Sequence, residues 1–179
     1  MLVDSHCHLN FPEFEKDLDQ VIQNANQQGV TTFLTVNTRL DQTVHLQQIA
    51  ETYERVFFSV GVHPHDAVEF ISKDLANSLK ILVQHPKAIG IGETGLDYFY
   101  EHSPRAEQKI SFLEHIKAGK ATDLPVIIHT RDAEEDTIEI IKQTAPFRGL
   151  LHCFTSSYEV AKVALDNGLY ISISGIVTF

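Results

Sequence analysis

The chain has 179 residues, 43% apolar and 21% charged, which is ordinary composition for one domain with one sizeable core and excludes low-complexity or collagen-like architecture. Acidic residues outnumber basic ones 24 to 14, for a net charge of −10 with histidine neutral, which excludes a broad basic face gripping nucleic acid but not a nucleic-acid substrate met at one local site. Cys7 and Cys153 cannot build a disulfide framework, and no secretory signal or membrane-length apolar run is visible, so a soluble, cytoplasmic protein without membrane contact is expected.

In chain order, Leu2–His6 reads as a strand and Glu13–Gln28 as a helix closed by Gly29. Thr31–Val36 is a β-branched run, and Asp41–Tyr53 carries apolar residues near one helical face. Val56–Val60 is the next strand, Lys73–Gln84 a helix, and Ala88–Gly92 extended. Arg105–Thr122 gives the clearest helical periodicity. Pro125–His129 is a strand, Ala133–Gln143 a helix, Gly149–His152 a strand, Tyr158–Asn167 a helix, and Tyr170–Ser174 a strand. Strict β/α alternation favours parallel strands with crossover helices. Runs such as Val126-Ile127-Ile128 lack alternation, as in strands buried on both faces. A doubly wound open sheet is one solution. Polar residues recurring at the C-terminal ends of the strands favour a (β/α)8 barrel, whose active face lies there. With no linker or composition break, residues 1–179 read as a single domain. About 250 residues is typical of such barrels, so seven strands are expected here, short of closure by one βα unit and closing helices.

The chemistry concentrates at those strand ends. His6-Cys7-His8 puts two imidazoles on one face of the first strand, close enough to converge on a divalent ion. Cys7 points the other way and reads as a small buried hydrophobe. Glu93 ends the apolar run Ala88–Gly92 and precedes a glycine-punctuated loop. A carboxylate buried there needs a compensating cation and can bridge two. The Gly-x-Gly beside it is not a dinucleotide fingerprint, because no helix begins at once. His129 and His152 each stand where an apolar strand ends. Four histidines and one glutamate at one end of four strands point to a metal centre. His63, closing the third strand, could contact substrate, while His65 reads as solvated. Arg105, Gln108 and Arg131 could hold a phosphate or could be surface residues. Lys117, Lys120, Glu134 and Glu135 read as solvated helix faces, and His45, His85, His102 and His115 receive no role.

Six segments, VDSHCHL (Val3–Leu9), GVHPH (Gly61–His65), IGIGETGLDY (Ile89–Tyr98), PVIIHTRDA (Pro125–Ala133), LHCF (Leu151–Phe154) and ISISGIVTF (Ile171–Phe179), together resemble the TatD-type metal-dependent deoxyribonucleases. The resemblance implies a distorted (β/α)8 barrel and metal-dependent phosphodiester hydrolysis, with DNA as the usual substrate. It implies that His6 and His8 bind one metal, that Glu93 bridges it to a second, and that His129 and His152 complete the second. His63 would lie beside the substrate, with Glu93 and His63 in the catalytic set and Arg131 beside the scissile phosphate. The family's eighth strand ends in an Asp that ligates the first metal, and the sequence stops at Phe179 before it.

The resulting expectation is a hydrolase of phosphodiesters, most directly a DNase, using two divalent ions of Zn, Mg or Mn. Imidazole and carboxylate ligands suit Zn, Mn or Fe, whereas Mg usually prefers oxygen. One alternative keeps the metals and attacks a small amide, ester or lactone. Another is an inactive metal-binding fragment associating through open edges. DNA or another phosphodiester is the expected partner, and nothing calls for an obligate protein partner.

Overall fold

The computed structural model describes residues 1–71 and 74–179. Among the described residues, seven strands alternate with helices: β1 (Leu2–Cys7), α1 (Leu18–Gln27), β2 (Val30–Thr35), α2 (Thr43–Thr52), β3 (Val56–Val60), α3 (Ala67–Phe70), α4 (Leu75–Leu82), β4 (Ala88–Asp97), α5 (Arg105–Thr122), β5 (Val126–Arg131), α6 (Glu134–Thr144), β6 (Gly149–Leu151), α7 (Tyr158–Asp166) and β7 (Tyr170–Ile171). Every neighbouring pair is parallel and the strand order is sequential, β1 to β7. A doubly wound sheet reverses its order at a switch point, so this topology excludes it.

The sheet is curled. His6 on β1 and His152 just after β6 stack with ring centroids 4.0 Å apart and planes within 6°. Five interstrand spacings in a flat sheet would hold those strands about 24 Å apart. The strands therefore form the curled half-barrel of a (β/α)8 fold, with the histidines on its inner, C-terminal side. Outside the strands, the helices bury Leu46, Leu79, Phe112, Ile116 and Ile141. Val126, Ile127 and Ile128 of β5 are all buried, as a strand covered on both faces requires. Among the described residues no helix is long and apolar enough to cross a membrane.

Several boundaries differ from the sequence reading. The strand starting at Ala88 continues past Gly92 to Asp97, pairing with β5 as far as Asp97 opposite Arg131. Its glycines are therefore sites of close backbone approach, and the loop expected after Glu93 is strand. The expected helix 13–28 splits into a 3-10 turn at Pro12–Phe14 and α1 from Leu18. Likewise α2 is preceded by a 3-10 turn at Leu40–Gln42, a common way for a helix to begin. Of the helix expected over 73–84, Lys73 lies outside the described residues and α4 covers Leu75–Leu82. The short α3 was not expected. Only Tyr170–Ile171 of the last expected strand pairs, because β6 stops at Leu151; a 3-10 turn follows at Gly175–Thr178.

One buried histidine ties α5 to the end of β3. His115 is fully buried, and its Nδ1 donates to the Ser111 carbonyl at 2.7 Å while Nε2 accepts from the Val62 N–H at 2.9 Å. Only the neutral ring can do both. Burial pushes its pKa down to about 4, against a weaker opposing effect of the Ser111 carbonyl. The unfolded chain takes up this proton near pH 6.5 and the folded chain does not. This contribution to stability is therefore intact above pH 6.5 and is lost as pH falls toward 4. Between pH 7 and pH 5 the loss is about 2 kcal/mol. Denaturant unfolding should show His115→Leu less stable than wild type at pH 7 by about 1–3 kcal/mol, through the orphaned Val62 N–H. The variant's drop in stability from pH 7 to pH 5 should be smaller than wild type's by about 2 kcal/mol. Equal drops would contradict a neutral buried ring.

Candidate metal centre

Four strand ends converge on Glu93. From β1 come His6, still within the strand, and His8, two residues on. Between them the Cys7 thiol donates to the Leu34 carbonyl at 3.4 Å, and burial, with Asp4 nearby, pushes it up to about 12. It behaves as a packed side chain, as expected. After β3, Gly61 lies so close to β4 that a Cβ there would sit 2.3 Å from the Gly92 Cα. His63 follows, and the 3-10 turn Pro64–Asp66 carries His65. Glu93 lies mid-strand in β4, His129 and Arg131 on β5, and His152 directly after β6.

The Glu93 carboxylate is only 3% exposed, and its two oxygens face different rings. Oε2 lies 3.2 Å from His6 Nε2 and 4.0 Å from His8 Nε2. Oε1 lies 2.6 Å from His152 Nε2, 3.3 Å from His129 Nδ1 and 3.5 Å from His63 Nε2. Burial alone would push this carboxyl up, but His129, His152, His6 and His63 around it hold it well below the usual carboxylate range.

The rings are oriented from outside. His8 Nδ1 donates to the Val36 carbonyl at 3.0 Å, leaving Nε2 to face the centre. His63 Nδ1 accepts from the His65 backbone N–H at 3.2 Å, which leaves its proton on Nε2. His129 Nε2 lies 3.1 Å from Asp97 Oδ2, so Nδ1 faces the centre. The same Asp97 oxygen lies 3.0 Å from His65 Nε2. Burial disfavours a charged His129, but Asp97 on one side and Glu93 on the other raise it to about 9. Burial lowers His8 and His152.

Asp97 is the residue that the sequence did not reveal. It is 1% exposed and locked on every side. Its N–H donates to Gln108 Oε1 at 2.8 Å, and its Oδ1 accepts from the backbone N–H groups of Phe99 and Tyr100 at 3.1 and 2.9 Å. Burial again works against ionisation, and the contacts with His129, Tyr100 and His65 hold this carboxyl far below its ordinary range. His65 is thus tied to a buried carboxylate rather than solvated. Gln108 is fully buried with its amide donating to the Asp97 and Ser103 carbonyls, so it is not open to a phosphate. Arg105 pairs with Glu101 at 2.9 Å and covers the Tyr98 ring. Glu134, read as a solvated face, accepts from the Ser157 N–H and hydroxyl.

The donor set fits a divalent cation. Both ring nitrogens of His6 are buried without a hydrogen-bond partner, although Nε2 is near Glu93. The ligand atoms of His6, Glu93 and His152, and those of His63, Glu93 and His129, each lie within 4.8 Å of one another. With the proton of His129 given up on binding, imidazoles around one ionised carboxylate are the ligand chemistry of borderline divalent metals.

Gly95 keeps β4 close to His129: its φ is +130°, and a Cβ there would lie 2.0 Å from the His129 carbonyl oxygen. Gly95→Ala should therefore lower unfolding stability by at least about 2 kcal/mol. An unchanged denaturation midpoint would mean that β4 can draw back at no cost.

The family described as TatD related DNase matches residues 3–179. The uncharacterized metal-dependent hydrolase YabD of Bacillus subtilis is 38% identical, over 100% of this chain and 71% of its own. A Klebsiella pneumoniae protein named 3'-5' ssDNA/RNA exonuclease TatD is 32% identical, over 98% of this chain and 67% of its own. The crystal structure of a TatD homologue from Escherichia coli superposes with a TM-score of 0.91 at 29% identity, covering 99% of this chain and 70% of that one. The chain belongs to the TatD family of metal-dependent hydrolases.

Proposed function

We propose that this centre holds two divalent cations and hydrolyses phosphodiester bonds, with nucleic acid as the substrate class. The observation that carries the reading is the division of rings between the two oxygens of Glu93. His6 and His8 face Oε2, while His129 and His152 face Oε1. A Glu93 carboxylate bridging two cations would be held in this way, with His6 and His8 on one side and His129 and His152 on the other. Distance alone groups His6 with His152 and His63 with His129; in the bridging arrangement the rings would instead be shared out by the Glu93 oxygen each faces. Bound there, two cations would supply Lewis acidity toward the phosphate oxygens and the attacking water.

The chain's own residues do the rest. Glu93 stays ionised without a proton to lose, so it is available as a ligand. His8 and His129 present one nitrogen each because Val36 and Asp97 occupy the other, the usual outer support of metal-binding histidines. His63, with its proton on Nε2, can donate to a phosphate oxygen beside Glu93. Arg131 follows His129 on the same strand face and makes no ion pair among the described residues, so its charge is free for a phosphate. The exonuclease name of some relatives supports nucleic acid as the substrate.

Three measurements test this reading. Added Zn or Mn should raise Tm and support cleavage of a phosphodiester but not of a lactone panel; cleavage of the lactones alone would overturn it. Glu93→Gln should lower metal content per chain and cut turnover at least ~100-fold. Near-normal turnover in that variant would remove Glu93 from the centre. Asp97→Asn keeps the Oδ1 contacts to Phe99 and Tyr100 but weakens the anion facing His129. By equilibrium dialysis it should bind metal about 10–100-fold more weakly.

A further inference from the structure

β2 supplies no ring to the centre, yet its end touches both His8 and Glu93. On one side it holds the segment that carries His8. The Val36 N–H donates to the Cys7 carbonyl at 2.7 Å, the Leu9 N–H donates to Thr35 Oγ1 at 3.0 Å, and the Val36 carbonyl accepts from His8 Nδ1. On the other side the Asn37 carbonyl accepts from the Glu93 N–H at 2.8 Å. That bond passes over β3, because β2 and β4 are not neighbours in the sheet. Two strand spacings in a flat sheet would hold them about 10 Å apart, so this is not a ladder bond. Ser59 of β3 completes the connection: its hydroxyl accepts from the Asn37 N–H at 3.0 Å and donates to the Gly92 carbonyl at 2.5 Å. Both polar groups of the peptide unit leading into Glu93 are therefore held by one pair, Asn37 and Ser59. Asn37 is braced in turn, its Nδ2 donating to Thr43 Oγ1 at 2.8 Å and its Oδ1 accepting from the Arg39 N–H at 3.1 Å. Asn37 and Ser59 are fully buried, and Thr43 nearly so.

Buried polar groups of this kind add little net stability over apolar residues of the same shape, but they fix geometry, since any displacement orphans a partner. Val56, Phe58 and Val60 of the same strand are buried and apolar, so the Ser59 hydroxyl is the polar exception in β3. Its bonds run to Asn37 and to the peptide unit of the buried carboxylate rather than to solvent or to a helix. The end of β2 thus acts as a spacer, with His8 fixed on one side and Glu93 on the other, 4.0 Å apart at Nε2 and Oε2. We infer that Asn37 and Ser59 are positioning residues, which hold the Gly92–Glu93 peptide unit against the end of β2 and so set Glu93 at a fixed distance from His8. Neither is a ligand; both act through Glu93. The inference rests on the cation-binding reading of the same centre.

Two measurements on the full chain separate positioning from plain stability. In the metal-free protein, amide hydrogen exchange is followed at Glu93 and at Ile91, whose N–H donates to the Pro125 carbonyl at 2.9 Å beside β5. Ser59→Ala should speed exchange at Glu93 relative to Ile91 by at least about tenfold. With Zn alone, equilibrium dialysis should show Ser59→Ala binding at least about tenfold more weakly than wild type. Thr43→Val, which keeps the shape but removes the partner of Asn37 Nδ2, should move both readouts the same way by a smaller factor. Thr43→Ser, which keeps the hydroxyl, should match wild type, and this pair carries the test if Ser59→Ala does not fold. Ile141→Ala, in α6 away from these groups, should lower the denaturation midpoint and leave both readouts unchanged. Equal acceleration at Glu93 and Ile91 in Ser59→Ala overturns the inference, as does an unchanged Zn affinity or an equal loss of it in Ile141→Ala. If wild type takes up no Zn, the cation-binding reading fails, and the exchange ratio decides the positioning role by itself. A tenfold rise then supports it, and no rise overturns it.

Discussion

The structure turns on one buried negative charge. Taking a carboxylate out of water costs several kcal/mol unless partners compensate. Glu93 is 3% exposed and has no Lys or Arg partner among the described residues. Its compensation comes from imidazoles at the ends of β1, β3, β5 and β6. No two neighbouring strands could assemble that set. The curl of the sheet is therefore bound up with the chemistry, because only a curled wall brings β1 and β6 to ring-stacking distance.

Around that charge a second layer fixes direction. Asp97, four residues beyond Glu93 on the same strand, carries the next buried carboxylate and orients His129 and His65 through one oxygen. Gln108 from α5 holds the Asp97 backbone, and His115, further along α5's inner face, holds Val62 beside His63. One helix thus supports two of the segments that face Glu93. Because Asp97, Gln108 and His115 are buried and hydrogen-bonded, displacing any of them leaves a partner unsatisfied. The centre is held by a hydrogen-bonded frame as much as by apolar packing.

The strand-end histidines were legible in the sequence because a polar residue that closes a buried apolar run is costly there unless it meets a ligand or a hydrogen-bond partner. The bounds of the helix Arg105–Thr122 are legible to the residue, but its inward face is not: Ile110 and Leu113 are exposed, while Gln108, Ser111, Phe112, His115 and Ile116 are buried. Asp97 was hidden by the assumption that glycines end a strand. Gly92 and Gly95 both have φ near +130°, yet β4 runs through them, since a missing side chain also permits close approach to β3 and β5. In the sequence His65 reads as solvated because its partner lies 32 residues away, beyond glycines that suggest a loop. The backbone-binding roles of Gln108 and His115 are hidden in the sequence for a related reason. Helical periodicity does not distinguish a buried polar residue that serves the backbone from one that meets a ligand.

The acidic composition and the nucleic-acid reading are reconciled by where the charges sit. Salt-dependent affinity for a long duplex needs many phosphate contacts, and a chain of net charge −10 is poorly suited to them. A centre that concentrates cations at one point needs few. Its carboxylates, Glu93 and Asp97, both lie inside the half-barrel and are already matched by imidazoles, so they do not confront the approaching phosphate as bare anions. At the lip, the Arg131 guanidinium lies over aromatic rings rather than on a carboxylate. For the proposed phosphodiester substrate, that guanidinium would be a local reversal of the chain's net negative charge.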